Sequence, residues 1–330
     1  MKSDMSPIVT MKAAVHTRYG PPEVVSIREV PKPEPKDNEV LIRVYASTVN
    51  RTDSGFRSAE YFISRFWSGL LRPKCQILGC EFAGEIEAVG KEVKVAKVGA
   101  KVFGFNDKKW GGHGQYITLE ENDPFTTIPE GLTYEEAAPI TEGAHYALGH
   151  IRAAKVARGQ SVLVYGATGA IGSAAVQLLK HFEAHVTAVC STKHVALVES
   201  LGADVVIDYT QEDYAQAGHR YDVVLDAVGK TSFGHCKPVL AEKGIYISTE
   251  LGKNWENVYL PLLTLLGKGK KVLFPIPTIS KADVEFLKQL VERKEFKPVE
   301  DRRYTLEQIV DAYRYVETGQ KVGNVIITLP

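Results

Sequence analysis

Residues 162–180 read VLVYGATGAIGSAAVQLLK, and no other segment leaves the fold so little choice. A run of apolar, strand-forming residues ends in a glycine-rich turn, and the turn opens a segment whose apolar positions recur at helical spacing. That order places backbone amides at a helix N-terminus, where they suit an anion. The turn is built from Ala167, Thr168, Gly169, Ala170, Ile171 and Gly172, with Gly166 before it. Ala167 stands where the dinucleotide fingerprint usually has its first glycine. Gly169 lets a pyrophosphate approach the backbone, and Gly172 lets the helix pack close to the strand. The same glycines also serve a plain strand-to-helix turn, so the surrounding pattern has to decide.

After Gly159, apolar strands and helices alternate: SVLVYGA, GAIGSAAVQLLKHF, HVTAVC, HVALVESLG, VVIDY, YDVVLDAVG and GIYIST. Near-continuous apolar strands between helices imply a parallel sheet buried on both faces, hence an α/β, doubly wound, dinucleotide-binding Rossmann domain. About 20 residues past the fingerprint, a site selective for NAD places Asp or Glu on the ribose 2′-hydroxyl. Here HVTAVC runs instead into Ser191, Thr192 and Lys193. Two hydroxyls and an ammonium suit a 2′-phosphate, no carboxylate is in view, and NADPH is the expected coenzyme. Tyr209, at the end of the third strand, is placed to cover the adenosine.

Upstream the texture differs. Residues 12–128 are β-rich, with EVLIRVYAS alternating, CEFAGEIEAVG and AKVFGF as short strands, and a helix expected only around YFISRFWSGL. Thr133 and Glu136 have capping-box spacing and open a long helix-like run, TYEEAAPITEGAHYALGHIRAAKV. Two amphipathic segments and a last strand, NVIITL, close the chain. That strand has no parallel neighbour in sequence, so the tail is expected to return to the first domain. The expected division is 1–132 (with a short flexible start, 1–10), 133–278 for the Rossmann domain, and 279–330 for the returning tail.

Length and composition agree with two domains in 330 residues. Forty basic and forty acidic residues cancel, so no bulk field draws nucleic acid or an anionic membrane. The longest apolar run, YLPLLTLL, is far short of the roughly 20 residues of a spanning helix. Four cysteines, Cys75, Cys80, Cys190 and Cys236, show neither paired zinc-lobe spacing nor a disulfide scaffold. With no signal-peptide pattern at the start, a cytoplasmic protein is expected.

These segments, with VLIRVYASTVNRTDSGFRSAEY, PKCQILGCEFAGEIEAVGKEVKVAKVGAKVFGF, LGADVVIDY and GQKVGNVIITL, resemble the medium-chain dehydrogenase/reductase superfamily, in particular its zinc-free quinone oxidoreductase and enone reductase branch. The resemblance implies a GroES-like, β-rich catalytic domain joined to the Rossmann domain. In the superfamily's zinc alcohol dehydrogenases a Cys occupies the position of Asn50, a His that of Cys80 beside Glu81, and a second Cys lies near Ile140. A catalytic zinc needs three protein ligands, and here only Cys80 offers a thiolate. No metal is therefore expected.

Without a Lewis acid, hydride addition to a conjugated acceptor is the accessible chemistry, because the charge spreads into an enolate or hydroquinone anion. The resemblance implies NADPH-dependent reduction of a quinone or α,β-unsaturated carbonyl. It assigns Asn50 to a carbonyl oxygen or ribose near the nicotinamide and Tyr61 to the developing oxyanion. Asp53 would fix the loop. His145 stands where relatives have Thr and is a candidate proton donor. Tyr61, Phe62, Phe66 and Trp67 would wall the substrate cleft, and Ala100 replaces the Asp usual in a G-D-x-V turn. Relatives often form homodimers by pairing sheet edges, here around GIYIST and KKVLFP. Two alternatives stay open: an NADPH-binding protein with little turnover, and an atypical zinc alcohol dehydrogenase.

Overall fold

The computed structural model describes residues 9–60, 65–216 and 218–330. Most of the expected flexible start, and Tyr61 and Phe62, lie outside them. In chain order β1 (Thr10–His16), β2 (Val25–Pro31) and β3 (Glu39–Val49) lead into helices α1 (Arg51–Ser58) and α2 (Arg65–Ser68). Strands β4 (Glu81–Val89), β5 (Lys101–Phe105), β6 (Tyr116–Glu120) and β7 (Phe125–Thr127) follow, then α3 (Tyr134–Ala137). An alternating stretch comes next: α4 (Glu142–Ala153), β8 (Ser161–Tyr165), α5 (Ala170–His181), β9 (His185–Cys190), α6 (Val195–Ser200) and β10 (Val205–Asp208). It continues through β11 (Tyr221–Asp226), α7 (Phe233–Cys236), β12 (Leu240–Ser248), α8 (Glu256–Leu265) and β13 (Lys271–Leu273). The tail is α9 (Lys281–Glu292), β14 (Glu300–Thr305), α10 (Ile309–Glu317) and β15 (Asn324–Thr328).

The chain forms two compact units, one of Met1–Thr141, Ser280–Lys288 and Glu300–Pro330, the other of Glu142–Ile279 and Gln289–Val299. The first is built on a seven-stranded sheet in the order β14-β15-β3-β4-β5-β7, with β6 added to β3. The long strand β3 pairs β6 through Glu39–Arg43 and β15 through Ala46–Val49, so one edge serves two partners in succession. Leu306, Ile309, Ala312 and Val316 from the tail share a core with Ile42, Val44, Phe82 and Ile86. Burying that apolar stripe of α10 is what holds the tail on this sheet.

The second unit is a six-stranded parallel sheet ordered β10-β9-β8-β11-β12-β13. Leu163, Val189, Ile207, Val224 and Tyr246 are buried in its core, as sheets covered on both faces require. The order reverses at β8, between β9 and β11, and a ligand crevice forms outside the strand C-termini at such a point.

The structure departs from several expectations. The helical run from Thr133 is broken: α3 ends at Ala137, a tight 3-10 turn holds Pro139, and α4 starts only at Glu142. Proline cannot donate to a helix interior, which accounts for the break. The boundary between units falls after Thr141 rather than Leu132, since Thr141 bonds to Glu81 through both its amide and its hydroxyl. The segment NRTDSGF, read as a loop, is helix α1. The last strand does have a parallel partner, β14, whose sequence EDRRYT is too polar to announce a strand.

Candidate active site

In the second unit Val162, Leu163 and Val164 of β8 are fully buried, and the chain then turns sharply at Gly166. Gly166 has φ +80°, and a Cβ there would meet Val228 Cγ1 at 2.6 Å. The left-handed residue of the turn is thus Gly166, one position before the usual first glycine, which lets Ala167 fill that slot with a buried methyl. Ala167 N donates to Val189 O at 3.1 Å. At Gly172 a Cβ would lie 2.1 Å from Gly166 O, whereas at Gly169 its nearest neighbour would be 3.8 Å away. Gly172 is a packing glycine, and Gly169 borders open space. Gly169 is the N-cap of α5, and the first bond at that end runs from Ser173 N to Gly169 O. The amides ahead of Ser173 have no acceptor within the helix and suit a pyrophosphate.

Beyond β9, Ser191 precedes a 3-10 turn of Thr192, Lys193 and His194, with Lys193 exposed. A carboxylate does stand beside it, contrary to the sequence reading. Asp208 ends β10 in register with Cys190, and accepts hydrogen bonds from the hydroxyls of Thr192 and Thr210. Those bonds, with Thr192 foremost, hold its pKa below the ordinary value, so it is charged at neutral pH. It comes from the neighbouring strand, so spacing along β9 gives no sign of it. Tyr209 follows, half exposed, its amide donating to Cys190 O at 3.0 Å.

Sequence reading also passed over Asp226, fully buried at the end of β11. Its oxygens accept from the amides of Val228 (3.2 Å) and Gly229 (2.9 Å) and from Tyr246 Oη (3.1 Å). Burial nonetheless raises its pKa. These bonds fix the loop after β11, whose Val228 packs against the position of Gly166. His145 lies on α4, buried, with its ring 4.5 Å from that of Tyr146.

In the first unit the chain leaves β3 through a buried polar knot. Glu81 Oε1 accepts from Thr141 N (2.9 Å) and Thr141 Oγ1 (2.8 Å), and Oε2 from Thr48 Oγ1 (2.8 Å) and Asn50 Nδ2 (3.2 Å). Asn50 Nδ2 also reaches Thr48 Oγ1 at 3.0 Å, so both amide hydrogens point inward. Its Oδ1 accepts from Lys321 Nζ at 3.3 Å, an ammonium that also donates to Gly323 O at 2.6 Å. Asp53 completes the loop, taking Asn50 N on one oxygen and Gly79 N on the other, at 2.8 and 3.0 Å. Asn50 therefore caps α1 with its side chain already engaged.

Beneath the knot, His113 Nε2 donates to Thr48 O at 2.7 Å, and Tyr313 Oη lies 3.4 Å from Nδ1. Burial drives the His113 pKa down to about 4, so the ring is neutral and serves as a strut. Cys80 is fully buried. Zinc-ligand chemistry is only partly met here. Cys80 and Asp53 are among three buried side chains whose ligand atoms lie within 4.8 Å of one another, but that group has no histidine, Asn50 is turned to Glu81 and Lys321, and each Asp53 oxygen already holds a backbone amide.

A fingerprint-bearing parallel sheet and a β-rich unit completed by the chain's own tail define a two-unit dehydrogenase or reductase. The chain belongs to the medium-chain dehydrogenase/reductase superfamily, whose members use a nicotinamide coenzyme. Residues 36–130 match the alcohol dehydrogenase GroES-like domain, and residues 201–327 match the zinc-binding dehydrogenase domain. The 2-methylene-furan-3-one reductase of Solanum lycopersicum is 30% identical, over 96% of this chain and 79% of that protein. A chloroplastic NADPH-dependent alkenal/one oxidoreductase of Arabidopsis thaliana is 29% identical over the same shares. The solved quinone oxidoreductase of Coxiella burnetii superposes with a TM-score of 0.86 at 25% identity, covering 98% of this chain and all of that one.

Proposed function

We propose that this protein is an NADPH-dependent, zinc-free reductase that delivers hydride to an α,β-unsaturated carbonyl or a quinone. The observation that supports it most is the knot around Glu81. It engages the Asn50 amide, at the position where zinc relatives have a cysteine, and leaves one thiol, Cys80, buried beside it. Relatives named for furanone, alkenal and quinone acceptors support the same substrate class.

The reduced nicotinamide, when bound, supplies the hydride. The chain's part is to bind and align. Gly169 and the first amides of α5 would hold the pyrophosphate, with Ala167, Thr168, Ala170, Ile171 and Gly172 shaping that turn. Ser191, Thr192 and Lys193 would hold the 2′-phosphate, Thr192 by exchanging the hydroxyl bond it now gives to Asp208, and Tyr209 would cover the adenosine. Asn50 is assigned to positioning, Tyr61 to hydrogen bonding of the developing oxyanion, and His145 to proton delivery. A second copy of the chain is proposed to pair with the edge strand β13, and the cytoplasm is proposed as the compartment, consistent with four cysteines that form no disulfide. Among the described residues no helix is long and apolar enough to cross a membrane.

Elemental analysis of chelator-treated protein tests the metal-free part. The expected result is no stoichiometric zinc and undiminished turnover of a 2-alkenal. Loss of activity that zinc restores would overturn it.

A further inference from the structure

The segment RFWSGLLRPK, residues 65–74, includes Phe66 and Trp67, which the resemblance places on a substrate wall, but its exposure supports a different role. It turns large apolar side chains outward: Phe66 is 67% exposed, Trp67 68%, Leu70 54% and Leu71 85%. Exposure on this scale within ten residues marks a contact surface rather than scattered surface residues. The backbone that presents them is firmly tied. Tyr19 Oη donates to Gly69 O at 2.7 Å and meets Ser68 Oγ at 2.7 Å, and the Arg65 guanidinium lies over the Tyr19 ring at 4.8 Å. Lys74 N closes the turn on Ser68 O at 2.7 Å. Gly69 takes φ +120°, where a Cβ would sit 2.1 Å from Arg72 O. The apolar side chains are thus held out by a built turn.

Charge says what they face. Between Glu60 and Glu81 the sequence has no acidic residue, while Arg65, Arg72 and Lys74 flank the four apolar side chains, with Arg72 and Lys74 exposed. A two-fold contact with a second copy would bring together two patches that both carry net positive charge, a like-charge penalty. An anionic lipid surface imposes none. Its headgroups attract the cations, and its interface accepts Trp and Phe with Leu below them.

We propose that residues 65–74 dock this protein on anionic membrane surfaces, with Trp67, Phe66, Leu70 and Leu71 entering the interface and Arg72 and Lys74 meeting the headgroups. The proposal stands independently of which acceptor is reduced.

The test is flotation of the full chain with vesicles of phosphatidylcholine alone or of equimolar phosphatidylcholine and phosphatidylserine. The expected result is binding to the mixed vesicles that weakens as salt rises, with little binding to phosphatidylcholine alone. Trp67→Ser with Leu71→Ser should lower partitioning by roughly tenfold or more, and Arg72→Glu with Lys74→Glu should do so while leaving the apolar side chains in place. Thermal melting and coenzyme affinity of both variants should match the parent. A parent chain that fails to float with the mixed vesicles, or variants that float as well as the parent, would overturn the proposal. So would variants whose only change is a raised KM for the acceptor, which would make the segment a substrate wall, or a changed molecular mass, which would make it a subunit contact.

Discussion

Lys193 and Asp208 bring opposite charges to the ends of two adjacent strands, and the coenzyme preference turns on which prevails. An ammonium favours a 2′-phosphate, and a carboxylate repels it while accepting a ribose hydroxyl. Asp208 accepts from Thr192 and Thr210 and stays charged, so an NADPH preference requires the Lys193 ammonium to outweigh its repulsion. Lys193→Ala should therefore weaken NADPH about tenfold, the value of one charge-assisted bond, and leave NADH nearly unchanged. Asp208→Asn should sharpen the preference for NADPH. Coenzyme titrations followed by fluorescence check both, and equal losses for the two coenzymes in the Lys193 variant would refute the 2′-phosphate role. The lysine was legible because it lies on the chain just past β9. Asp208 was not, because only the parallel register of β10 brings it there. Lys321 is a stronger case: it reaches Asn50 from 271 residues away, beyond any local pattern.

At the scale of elements, two glycines of one turn separate folding from binding. A Cβ at Gly172 would press on a backbone carbonyl, so Gly172→Ala should destabilise the protein by about 1–3 kcal/mol, the usual cost of overpacking, and lower its melting temperature. Gly169 borders open space, so Gly169→Ala should melt like the parent yet bind coenzyme at least several-fold more weakly, because the methyl occupies the phosphate approach. Thermal melts and coenzyme titrations on the same samples read both. If Gly169→Ala leaves affinity intact, the pyrophosphate does not approach there. Elements with a strong internal signal were legible in advance: β8 and α5 by periodicity, and α3 by the Thr133 and Glu136 box. Helix α1 was hidden because NRTDSGF is polar and contains a glycine, and it is held by tertiary bonds of Asp53. Strand β14 was hidden because its pairing with β15, and not apolar content, makes it a strand.

For the whole molecule, the open question of assembly has a definite place. Strand β13 pairs only with β12 among the described residues, and α8 and its end, just before it, expose Leu262, Leu263, Leu265 and Leu266. An unpaired edge beside an apolar surface is a liability unless covered. Light scattering should give twice the chain mass, falling to one chain in Leu263→Asp with Leu266→Asp while coenzyme binding persists. A monomeric parent would remove edge pairing from the account. The division into a nucleotide unit and a β-rich unit was readable from the change of texture along the chain. Where the division falls was not, since Thr141 is drawn into the first unit by its bonds to buried Glu81.

Metal-free delivery of hydride to a conjugated acceptor is the central claim, and oxidation of NADPH in the presence of a chelator tests it most directly. The acceptors would be a simple quinone, a medium-chain 2-alkenal, a cyclic enone and a saturated aldehyde. The account predicts rapid oxidation with one or more of the conjugated acceptors and none with the saturated aldehyde. Turnover confined to the saturated aldehyde, and appearing only when zinc replaces the chelator, would contradict it.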